Sequence, residues 1–114
     1  MKTTQRLLVV LAAALMLLSG TGCNKLKARD HLNKGVQAYK NSKFEQAIDH
    51  FQQAVVLDPT LINARLYLAT ALAQQYIPGV DAPDNNRFGE QAIDQYKQVL
   101  QFDPRNINSI KGIA

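Results

Sequence analysis

The first 22 residues of this 114-residue chain contain no acidic side chain, and Lys2 and Arg6 are their only basic ones. The chain has one cysteine, which excludes an intramolecular disulfide. Its two histidines, His31 and His50, stand 19 residues apart with no cysteine or acid cluster at ligand spacing, so neither reads as a metal ligand. No G-x-S-x-G, H-E-x-x-H or phosphate-loop motif occurs. No segment alternates with the period of two that marks a half-buried strand. The expectation is therefore an all-α chain with no catalytic residues, no cofactor and no metal.

What is present begins with Leu7 to Leu18, LLVVLAAALMLL, 12 apolar residues without a polar face. As a helix this run is roughly 18 Å long, short of the ~20 apolar residues that cross a bilayer. A basic start, a short apolar block and small residues after it form the pattern of an export signal. A chain this small could not bury such a segment on all sides, which argues against a core helix. Residues 1–22 are expected to be a signal peptide, cut between Gly22 and Cys23, and residues 23–27 a short membrane-proximal linker. Without the leader, 11 basic and 9 acidic side chains remain, and an exported chain is not expected to meet nucleic acid. Lys25, Lys27 and Arg29 crowd the new start. Two readings stand for them: contact with anionic lipid, at about 1 kcal/mol each near the surface, or an ordinary solvated helix face.

Cys23 follows Gly20-Thr21-Gly22. This resembles the lipobox of bacterial lipoproteins, in which the cysteine is lipidated and becomes the first mature residue. Thr21 and Gly22 fit that pattern; Gly20 stands where a leucine-like residue is usual. The resemblance implies a lipid anchor on Cys23 and a place on the periplasmic side of a bacterial cell envelope. Asn24 is not the aspartate similar to an inner-membrane retention signal, which favours the outer membrane.

The rest of the chain repeats itself. With an offset of 45, residues 45–69 align without a gap to residues 90–114, with 11 identities in 25 positions, including Glu-Gln-Ala-Ile-Asp and Asp-Pro. Ala47, Ile48, Phe51, Ala54 and Val55 recur at steps of three and four, the apolar stripe of an amphipathic helix. Ser42 to Glu45 reads as a capping box that opens this helix, Ser42 covering free donors and Glu45 reaching back. Asp58-Pro59 and Asp103-Pro104 are expected to stop their helices, because proline disfavours helical geometry in the residue before it. Residues 75–86, with two prolines, a glycine and several Asp and Asn, read as a loop. Its acids lack the order of a calcium loop.

These residues resemble the tetratricopeptide repeat, a helix-turn-helix unit of 34 residues. The resemblance implies a first repeat at about 28–61 and a second at about 62–106, with the 75–86 loop inserted between its helices. A third repeat begins at 107–114. Its packing positions would be Gly35, Ala47, Phe51, Ala54 and Pro59 in the first repeat, and Ala69, Ala92, Tyr96 and Pro104 in the second. The fold implied is a short α-solenoid of antiparallel helical hairpins, preceded by the signal helix.

Stacked hairpins of this family present a concave groove lined by the first helix of each repeat. The resemblance places Arg29, Leu32, Val36, Tyr39 and Lys40 there, together with Asn63, Leu66, Tyr67, Thr70 and Gln74. Leu32, Val36 and Leu66 have a second reading as core. The function implied is an envelope adaptor that binds a protein or peptide partner in this groove. The alternative is an accessory region of a longer envelope enzyme whose catalytic domain lies beyond residue 114. An uncapped third repeat leaves an apolar face for a chain continuation, another chain or self-association.

Overall fold

The computed structural model describes the backbone of residues 2–114 and, of these, all side chains except those of residues 16–21. Among the described residues the chain forms five helices and no strand. They are α1 (Lys2–Lys40), α2 (Phe44–Leu57), α3 (Ile62–Gln75), α4 (Pro83–Phe102) and α5 (Ile107–Ile113). Each packs on the next, and α3 also reaches α5. The hairpins are antiparallel: Tyr39, near the end of α1, meets Phe44 at the start of α2, and Gly35 meets Phe51 farther from the turn. In the second hairpin Arg65 reaches Gln98 while Gly89 lies under the Tyr76 ring. The result is an all-α stack of helical hairpins.

The core forms where small residues of one helix receive large residues of the next. Ala47, Ala69 and Ala92 join Phe51, Leu68, Leu72 and Tyr96 in one buried cluster. Phe51 is 1% exposed, a burial that contributes about 1.5–3 kcal/mol. Gly35 has no Cβ because the Phe51 ring occupies that space. The two Asp-Pro steps end α2 and α4 at Leu57 and Phe102, with Asp58 and Asp103 as C-caps. Each aspartate carbonyl then accepts a hydrogen bond three residues on, from Leu61 and Asn106 N–H, which turns the chain into the next helix. Pro59 and Pro104, expected among the packing residues, are exposed; they act as stops in these turns and contribute no core contact.

Two expectations are corrected, the capping box and the bounds of the loop. Residues 23–27, expected as a linker, are helical, because α1 runs unbroken from Lys2 to Lys40. Among the described side chains of α1, Ala28 is the first that is buried, so packing begins there. Gly20 and Thr21, on which part of the lipobox reading rests, lie in the segment whose side chains are outside the described residues. Among the described residues, no helix is long and apolar enough to cross a membrane.

The capping box does not form. Lys43 is the N-cap of α2 and makes no side-chain cap bond. Ser42 sits at φ 59° because it closes the preceding helix. Its N–H bonds the Tyr39 carbonyl, and the Lys43 N–H bonds that of Ala38, the paired bonds of a Schellman ending. A residue held in that left-handed geometry cannot also cap the next helix.

The 75–86 loop is shorter than expected, since α3 ends at Gln75 and α4 begins at Pro83. Proline at the first helical position loses no intrahelical bond, and Ala82 before it is extended, as that position demands. The Asp and Asn residues read as loop formers make the first turns of α4, with Asp84 paired to Arg87 at 3.2 Å. Within the remaining loop, Gly79 adopts φ +83°, and the Val80 N–H bonds the Ile77 carbonyl around the Pro78-Gly79 turn.

Candidate functional site

The ten expected groove residues divide by environment. Leu32, Val36, Tyr39 and Leu66 are half-buried and pack against the core cluster, so their first duty is to seat α1 and α3 on the core. Arg29, Lys40, Asn63, Tyr67 and Gln74 are exposed, and Thr70 is half-buried. Two of the ten are brought into direct contact across the helices: the Tyr39 hydroxyl donates to Gln74 Oε1. The Tyr39 ring also meets Phe44 edge to face at 5.5 Å. Thr70 Oγ1 bonds the Leu66 carbonyl at 2.9 Å and lies 3.1 Å from the Tyr96 hydroxyl, which ties it to α4.

Tyr67 is different. It is 49% exposed, yet its ring stacks on the buried Phe51 at 5.7 Å with the planes 17° apart. One face of the ring is thus held by the core while the rest is free. An aromatic held rigidly in this way offers contact area with little loss of side-chain freedom on binding. Arg29 and Lys25 lie close enough to Asp58, at the end of α2, to lower its carboxyl pKa, although its hydrogen bond from Thr60 is the larger cause. Positive charge is favoured near such a helix end.

Sequence reasoning missed the roles of four residues. Arg65 stands where the repeat family often has tryptophan, and the side chain is 7% exposed. Its guanidinium donates to Gln95 and Gln98 Oε1 at 3.0 and 2.5 Å and reaches the Pro59 carbonyl at 3.5 Å. No carboxylate touches it; Gln98 passes the contact on to Asp94 at 2.8 Å. Asn85, also 7% exposed, accepts from the Ile77 N–H at 2.7 Å and donates to the Ile77 and Val80 carbonyls at 2.9 and 2.7 Å. His31 and His50, which stand 19 residues apart in the sequence, touch across the first hairpin. A signal for that contact was available, because residues roughly equidistant from the 41–43 turn meet in an antiparallel hairpin.

The far end of the stack carries a cleft of about 390 Å³ lined by residues of α3, α4 and α5, among them Ala92, Ile93, Ile113 and Ala114. Ile107 and Ile110 of α5 are exposed beside it.

Residues 28–61 match the family model of the tetratricopeptide repeat. No curated protein sequence matches the chain. The matched span contains Gly35, Ala47, Phe51 and Ala54 in the close-packed positions described above. The sequence of its second helix recurs in α4, and the following hairpin packs Ala69, Ala92 and Tyr96 into the same core. Residues 28–61 are a tetratricopeptide repeat.

Proposed function

We propose that this protein is a lipid-anchored envelope adaptor that holds a protein or peptide partner against the α1–α3 face of its repeats. Tetratricopeptide repeats generally mediate protein–protein interaction, and the observation that carries the reading here is the Tyr67 ring, half-exposed and stacked on Phe51. Exposed Asn63 and Gln74 on the same helix supply polar groups beside it, suited to the backbone of an extended or helical peptide. The role is that of a scaffold, with no chemistry assigned to the chain itself.

The anchor is the lipidated Cys23, which is exposed on α1. The leader before it directs export, and the resting place is the periplasmic side of the outer membrane. Self-association through the exposed apolar end at α5 is a secondary part of the same reading.

Fractionation tests the anchor: Cys23→Ser should be exported but recovered in the soluble periplasmic fraction, and a variant that still pellets with membranes overturns it. Site-specific photo-cross-linking from position 67 tests the groove. A discrete protein adduct from position 67, absent from a probe at exposed Gln101 on α4, is the expected result. Equal labelling from both positions counts against a groove partner.

A further inference from the structure

His31 on α1 and His50 on α2 meet with their Nδ1 atoms 3.1 Å apart. The ring centroids are 5.4 Å apart and the planes tilt by 35°. Each residue is half-buried, so the pair is open to solvent on one side. Two nitrogen lone pairs repel at this distance unless something positive lies between them. In the protein alone that is a proton on one of the two Nδ1 atoms.

A proton is not the only occupant such a spacing accepts. A first-row transition ion bonds imidazole nitrogen at about 2.0–2.1 Å. Between nitrogens 3.1 Å apart it would subtend about 95–102°. That lies between the angle of neighbouring ligands in a tetragonal site and that of a tetrahedral zinc site, and of the divalent ions copper(II) binds nitrogen donors most tightly. Nitrogens and centroids lie nearly on one line, so both rings must swing for their lone pairs to converge. Torsion about the terminal bond of histidine is broad, and among the described residues the Nδ1 contact is the one side-chain hydrogen bond these rings make.

We propose that His31 and His50 form a two-imidazole site for a divalent first-row transition ion, copper(II) foremost, with water in the remaining positions. Among the described residues no third His, Cys, Asp or Glu completes a larger cluster. Asp30, the nearest acid on α1, is held by Lys34 at 2.8 Å. The ion replaces the proton between the rings; the ring that carried it holds it on Nε2 instead, so a neutral pair releases no net proton. Because one ligand comes from each helix, the site exists only while the hairpin is packed, and the ion staples α1 to α2.

The test uses the full chain in detergent micelles with Cys23→Ser, which removes the only thiol. Copper(II) chloride is titrated while the imidazole proton resonances are followed; with two histidines in the chain, each ring is identified by substitution. Both rings should broaden together and saturate at one equivalent. His31→Gln and His50→Gln should each weaken binding about a hundredfold, the loss expected when a chelate becomes a single ligand. Rings that respond at different copper concentrations, or binding that survives in His50→Gln, overturn the site. Should the glutamine variants lose their helical signal, the thermal midpoint of the Cys23→Ser chain decides. Copper(II) raises it at pH 7.5 if the staple forms, and an unchanged midpoint overturns the proposal.

Discussion

The Cβ that Gly35 lacks would stand 2.5 Å from the Phe51 ring. Phe51 is buried and cannot swing aside without disturbing Ala47 and Leu72. Gly35→Ala should gain about 1 kcal/mol of helix propensity and lose more than that to the overlap, for a net destabilisation of about 1–2 kcal/mol. Urea unfolding measures it. A variant as stable as the parent would mean that α1 and α2 are not packed at this distance.

Ser42 holds a left-handed backbone at the end of α1, which costs an L-residue about 1–2 kcal/mol. Ser42→Gly is expected to raise stability by about 0.5–1 kcal/mol, and Ser42→Val to lower it. A capping box would give the opposite order, since glycine there would lose a side-chain cap. Thermal midpoints of the two variants separate the cases.

Arg65 is a buried cation surrounded by neutral acceptors. Arg65→Lys keeps the charge and loses the planar fork, and should destabilise by about 1–3 kcal/mol. Arg65→Met removes the charge and keeps most of the packed stem, so it should fall within about 1 kcal/mol of the parent or exceed it. Chemical denaturation of both variants checks the order. Lysine more stable than methionine would contradict the account.

Asn85 fastens the 76–82 loop through three hydrogen bonds. Asn85→Ala should cost about 1–3 kcal/mol and free the loop, seen as faster chymotrypsin cleavage after Tyr76 with the helical signal retained. Cleavage at the parental rate would show that the Pro78-Gly79 turn holds the loop by itself.

The stripe of Ala47, Phe51 and Ala54 could be read from the sequence because burial imposes the helical period on side-chain type. The Asp-Pro stops were equally legible, since proline acts on its immediate neighbour whatever the fold. Ser42 was misread because two helices compete for one residue, and a motif match does not say which helix wins. Residues 83–86 were misread because Pro, Asp and Asn serve both loops and the first turn of a helix. Asn85, Arg65 and the histidine pair act through partners fixed by helix register, which local composition does not carry. Which residues share a face of α1 or α3 was legible from the helical period. The division between residues that pack inward and those that stay free, as with Leu66 and Tyr67, required the neighbouring helix.

The continuity of α1 through Gly22 and Cys23 has a consequence for the proposed cleavage between them. Peptidases act on extended backbone, so a cut at this bond requires the helix to open locally. The new terminus then exposes donors that no preceding carbonyl can satisfy, and the charges on Lys25 and Lys27 oppose the positive pole created there. Unwinding should therefore spread until Ala28 is gripped by its neighbours. On the proposed reading, a rod that is stiff in the precursor would become a few residues of loose leash between the acyl chains and the first hairpin, and the repeats would pivot above the bilayer.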